Sequence, residues 1–119
     1  MPTKRFALVA TAGLFLAACP LVAHHSFKAQ YDESQLITLT GTITKVMWNN
    51  PHVHMYLEVK QGTNQVANWE LELASPNGLM SQGWKVDSLK QGDLVSVSGF
   101  RARDGSNVAN IRKVTLDPR

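Results

Sequence analysis

Cysteine is almost missing from this chain: its 119 residues include one, Cys19. That excludes an internal disulfide framework and any cysteine-rich zinc site. Charge is sparse as well, at 18% of residues with no block of one sign, beside 44% hydrophobic residues. A disordered or polyelectrolyte chain is therefore excluded, and the length allows a single domain. Internal repeats and low-complexity tracts are lacking. No apolar run reaches the roughly 20 residues that a membrane-crossing helix needs. Catalytic motifs are lacking too. Gly92 and Gly105 are turn glycines and not part of a phosphate-binding loop. Ser26 follows His25 in an arm, not on a strained elbow, and no other nucleophile has a base beside it.

What the N-terminus does contain is a leader. Lys4 and Arg5 precede an uncharged apolar stretch from Phe6 to Ala18, and Pro20 breaks it before Leu21-Val22-Ala23. This is the layout of a signal peptide over residues 1–23, with the cut before His24. A cut before Ala23 is one alternative. Another is a lipoprotein, because Leu16-Ala17-Ala18-Cys19 resembles a lipobox that would anchor the chain through Cys19. The expected location is the periplasm. Loss of Lys4 and Arg5 with the leader leaves 10 Lys+Arg against 9 Asp+Glu, so the net charge falls from +3 to +1. So small a charge pulls weakly on a polyanion, and no nucleic-acid partner is expected. The mature protein is expected to be a monomer with no transmembrane segment.

Strand signals dominate the mature chain after an aperiodic N-terminal arm over residues 24–35. From Leu36 to Met47, Ile37, Leu39, Gly41, Ile43 and Met47 share one face and Thr38, Thr40, Thr42 and Thr44 the other. Gly41 marks a bulge or a sharp coil. Asn49-Asn50-Pro51 is a turn. Val53 to Lys60 alternates with Val53, Met55, Leu57 and Val59 inward, and Trp69, Leu71 and Leu73 alternate again beyond a loop at 61–65. Ser75-Pro76-Asn77 opens a short helix that Gly83 closes. Leu94–Arg103 and Val108–Leu116 are strands joined through Asp104-Gly105. The order strand, strand, strand, short helix, strand, strand is that of the OB-fold, a five-stranded, partly open barrel. The fold class is thus mostly β, an OB-like barrel over residues 36–119.

Four histidines carry the chemical signal. If the second hairpin centres on Thr63, Leu57 faces Trp69 and Met55 faces Leu71, while Tyr56 meets Glu70 and His54 meets Glu72. A one-residue slip would set apolar against charged side chains. Strand residues two apart share a face, so His52, His54 and Glu72 are expected to form one exposed cluster of donors. At the new N-terminus, the amine and ring of His24, with His25 beside it, could chelate copper or another late divalent ion. The expected metal ligands are His24, His25, His52, His54 and Glu72. The alternative is an ordinary polar stripe and no metal. In that case an interaction module binds a partner protein or small ligand on a face with Trp48, Tyr56 and Trp84. Met47, Met55 and Met80 read as packing, and Arg101, Arg103, Arg112 and Lys113 as a solvated basic end.

The motifs Ala23-His24-His25-Ser26-Phe27, Asn50-Pro51-His52, Trp69-Glu70, Ser75-Pro76, Gly83-Trp84 and Gly92-Asp93 together resemble a family of small secreted bacterial proteins. That family is defined only as a domain of unknown function. The resemblance spans the mature chain and implies export, processing near His24 and one compact domain. It implies no particular activity, since none is established for the family. His24, His25 and His52 stand in the shared motifs, His54 does not, and the leader with Cys19 departs from the common pattern. At the level of fold the chain also looks like secreted bacterial OB-fold stress proteins, a likeness that carries no function.

Overall fold

A computed structural model describes residues 27–117. Residues 27–30 are helical and belong to a first compact unit that ends at Gln30. The second unit contains β1 (Tyr31–Met47), β2 (His54–Gln61), β3 (Gln65–Glu72), α1 (Pro76–Ser81), β4 (Leu94–Ala102) and β5 (Val108–Leu116). These strands close into a barrel in the order β1-β2-β3-β5-β4. Only the β3–β5 pair is parallel. This is the OB arrangement read from the element order.

The first strand makes the barrel possible. It pairs with β4 from Tyr31 to Thr42 and with β2 from Thr42 to Met47. A strand that changes partner midway has to coil sharply, and Gly41 sits at that point. A Cβ there would lie 2.6 Å from the Glu58 carbonyl oxygen. The expected bulge is real but falls at Thr44, the extra residue between Ile43 and Lys45 in the pairing with β2. It reverses the inward–outward phase. Val46 therefore opposes Met55 and packs on the core, whereas Met47, expected inward, lies beside Tyr56 with its sulfur 3.8 Å from that hydroxyl.

β1 also starts five residues earlier than the sequence pattern indicates. Tyr31 pairs with Ala102, then Leu36 with Phe100, so residues 32–35 are looped out of the ladder. Asp32 organises that loop, accepting from the Ser34 amide at 3.0 Å and its hydroxyl at 2.6 Å. An irregular loop inside a strand erases period-two alternation, which is why residues 31–35 read as part of an arm.

The β2–β3 register matches the expected one: Leu57 opposes Trp69, Met55 opposes Leu71, Tyr56 opposes Glu70 and His54 opposes Glu72. The inward residues fill the barrel with Ile43, Val53, Val95, Val97, Ala109 and Ile111. Each such side chain contributes about 1.5–3 kcal/mol on leaving water. α1 adds Leu79 to the same core. Its start is fixed by Ser75, whose hydroxyl accepts from the Gly78 amide at 3.1 Å, with Pro76 as first helical residue.

Gly99 stands where the β4–β5 register shifts, and a Cβ on it would overlap the Asn110 carbonyl. Gly99→Ala should therefore destabilise the barrel by about 3 kcal/mol through overpacking. Urea denaturation measures this, and a loss below about 1 kcal/mol would contradict so tight an approach.

Candidate functional site

Two neighbourhoods bring chemically capable side chains together. The first surrounds Glu72, the last residue of β3. Its Oε2 accepts from the Tyr31 hydroxyl at 3.1 Å, and its Oε1 accepts from the Asn110 amide at 3.3 Å. Tyr31 and Asn110 are both buried. Burial first, and the Glu72 carboxylate second, push the Tyr31 phenol above its ordinary range. Glu72 thereby joins the start of β1 to β5.

These bonds reshape the expected histidine cluster. His54 stands opposite Glu72 in the ladder, but the carboxylate is held by Tyr31 and Asn110. His52 precedes β2, separated from His54 by the buried Val53, whose backbone pairs with Leu73 and Ala74. Its Nδ1 lies 3.0 Å from the Leu73 carbonyl and 3.9 Å from Glu72 Oε1. Among the described residues, no three His, Cys, Asp or Glu side chains are grouped to hold a metal ion. His52 and His54 both neighbour Glu72, but the three do not make such a group. His24 and His25 lie outside the described residues.

The second neighbourhood is an open groove of about 630 Å³. It crosses β1, β2 and β3 toward the β4–β5 loop, and Lys45, Tyr56, Asn68, Trp69, Glu70 and Asn107 supply its chemistry. Its position follows from pairing. β3 and β5 are joined only from Glu70 to Glu72, so Gln65–Trp69 has no strand on that side. The bulge at Thr44 turns Lys45 to the outer face opposite Tyr56, where its ammonium lies 5.9 Å from the ring centroid. The Tyr56 hydroxyl donates to Glu70 at 3.4 Å. Burial, then the Glu70 charge, raises the Tyr56 phenol, so it remains a protonated donor through neutral pH.

Arg101 builds the far wall. It donates to the carbonyls of Gly105 at 2.8 Å and Ser106 at 3.2 Å and to the Asn107 side chain at 3.1 Å. Its guanidinium stacks 5.0 Å from the centroid of Trp69. The indole Nε1 of Trp69 is buried and has no hydrogen-bond partner among the described residues.

Of the three aromatic residues expected to line a face, Tyr56 does so. Trp48 and Trp84 pack on the core instead. The basic end of the last hairpin is also divided. Arg101 covers Trp69, Arg112 lies 5.6 Å from the Phe100 ring, and Arg103 stands 4.0 Å from Asp32. Sequence reasoning missed Lys45, Asn68 and Asn107. Lys45 owes its place to the bulge, and the other two flank an opening created by the short β3–β5 pairing.

The Tyr31–Glu72 bond has a pH signature. The folded phenol titrates above the ordinary value of 10.0, so above that pH the unfolded chain loses this proton first. Stability from this group is complete below pH 10 and falls as pH rises beyond it. Tyr31→Phe should cost about 1–2 kcal/mol at neutral pH and remove this part of the alkaline decline. Denaturant titrations below and above pH 10 check both effects, and an unchanged alkaline slope would contradict the assignment.

Comparison with solved structures places the barrel among OB-folds. Two crystal forms of the mitochondrial single-stranded DNA binding protein Rim1 from S. cerevisiae are similar to it. Form 2 has a TM-score of 0.55 at 11% identity, covering 69% of this chain and 92% of that one. Form 1 has 0.54 at 12%, covering 69% and 91%. No curated protein matches the chain. These neighbours correct the expectation that nucleic acid is excluded. Net charge describes the whole molecule, whereas single strands are held locally, by stacking on aromatic side chains beside a few cations. Among the described residues no helix is long and apolar enough to cross a membrane. The model of a family of unknown function, DUF6152, matches residues 12–111, and the chain belongs to that family.

Proposed function

We propose that this protein is an exported, non-catalytic binding module whose ligand lies in the groove across β1, β2 and β3. The observation that carries this reading is the groove itself. Tyr56 and Lys45 lie on one side, Trp69 under Arg101 on the other, with Asn68, Glu70 and Asn107 between them. A cleft of about 630 Å³ falls in the range of about 300–1,000 Å³ typical of ligand sites. The OB barrel commonly presents ligands to this part of its surface, beside the loop joining its last two strands. Export is supported by Lys4, Arg5, the apolar run to Ala18 and the small residue Ala23.

Backbone NMR of the folded chain tests the reading with a panel of oligosaccharides, peptides and single-stranded oligonucleotides. Oligonucleotides are included because the structural neighbours are DNA-binding proteins. Amide shifts should centre on Lys45, Tyr56, Asn68–Glu70 and Asn107. Shifts centred elsewhere, or none with any probe, would overturn it.

A second reading, a Cu(II) site, draws on His52. A carbonyl only accepts, so the contact with Leu73 puts the proton on Nδ1 and leaves Nε2 with its lone pair, the orientation a metal ligand needs. His24 and His25 would supply the remaining nitrogen donors. The test is intact mass of the exported protein with and without Cu(II). A chain starting at His24 or Ala23 should gain one copper, and the double variant His24→Ala, His52→Ala should gain none. A lipid-bearing chain starting at Cys19, or no uptake, would overturn it.

A further inference from the structure

The groove sets hydrogen-bond donors and acceptors side by side, and that mixture identifies a ligand class. From the proposed groove, on which this inference rests, we infer that the ligand is a neutral oligosaccharide, bound by stacking of a sugar ring on Tyr56 and by hydrogen bonds to Asn68, Glu70 and Asn107.

Sugar hydroxyls donate and accept at once. A site for them needs acceptors and donors side by side, next to a flat apolar surface for the C–H face of the ring. Here both kinds are present. Glu70 has one carboxylate oxygen engaged by Tyr56 and its other oxygen without a partner among the described residues. The exposed Asn68 amide, which both donates and accepts, makes no side-chain hydrogen bond among the described residues. Asn107 gives its carbonyl oxygen to Arg101 and keeps its amide hydrogens for a ligand. Lys45 adds a donor next to the Tyr56 ring.

A phosphodiester backbone accepts but does not donate, so it would use Lys45 and the amides, and only the N–H groups of a base edge could meet Glu70. A hydroxyl-rich ligand uses every one of these groups. Trp69 lies beneath the groove, 6% exposed and with its indole N–H buried without an acceptor among the described residues, so its resonance reports on what settles above it. The groove also crosses the strands as an open trough, the shape that accepts a short chain of rings and not a single enclosed one.

The experiment titrates the folded full chain with neutral trisaccharides of glucose, galactose and N-acetylglucosamine, and separately with oligothymidylate, following tryptophan fluorescence and the Trp69 indole N–H resonance. At least one trisaccharide should bind and shift that resonance. Tyr56→Ala should weaken it about tenfold or more, the scale of a lost aromatic contact. Tyr56→Phe, which keeps the ring, should stay within about threefold. Glu70→Gln should weaken binding of the sugar. Circular dichroism confirms that each variant is folded. Oligothymidylate binding that depends on Tyr56, with no response to any sugar, would overturn the oligosaccharide and leave the groove as the ligand site. A sugar that binds equally well to Tyr56→Ala and Glu70→Gln would overturn both, as would the absence of any response to either probe class.

Discussion

A strand that serves two neighbours in turn governs this protein. β1 gives its first part to β4 and its last part to β2, and Thr42 belongs to both ladders. Without that change of partner the sheet would stay open at one edge, with unpaired amides exposed. The change requires the backbone of β2 to approach β1 closely, and Gly41 permits the approach because it carries no side chain. Three residues later the bulge at Thr44 resets which side chains face out. The coil and the bulge act together. One closes the barrel, and the other decides that Lys45 is presented beside Tyr56 while Val46 enters the core.

Closure at the opposite side is thinner. Three residue pairs join β3 to β5. Glu72 reinforces this seam, because its carboxylate is held from both sides, by Tyr31 of β1 and by Asn110 of β5. A charged residue at the end of a ladder thus serves as a cross-link between strands far apart in sequence. The same thin seam leaves the first half of β3 paired with β2 alone among the described strands, and the groove opens beside it. The economical closure and the groove arise from one feature.

Much of the fold was legible because burial in a barrel enforces strict alternation. Val53, Met55, Leu57, Trp69 and Leu71 announced both their faces and their register, and Ser75-Pro76 announced the helix. What stayed hidden was hidden for physical reasons. The looped residues 32–35 break the alternation, so the start of β1 at Tyr31 had no periodic signal. The Thr44 bulge has no residue-type marker. The site was less legible still. Tyr56 was recognised as an outward aromatic, but Trp48 and Trp84, equally plausible by type, rest half-buried against the core and do not line the groove. Histidines two apart flank the buried Val53, but the carboxylate expected to complete their cluster is held by Tyr31 and Asn110, partners that no local pattern announces. Net charge excluded a ligand class that depends on local chemistry. The membership of a family of unknown function, expected from the sequence, is shown by the family match over residues 12–111.

Arg101 has one more consequence. By bonding two loop carbonyls and Asn107 while resting on Trp69, it ties the β4–β5 loop to the barrel before anything binds. Loops that must be ordered by their ligand lose part of the contact energy to lost conformational freedom. Here that loss was incurred during folding. In the proposed reading the groove would meet its ligand with the far wall already in place, so even a shallow, hydrated contact of few atoms could be selective. Selectivity in such a trough can then diverge by exchange of Asn68 or Asn107 alone, with the barrel unchanged.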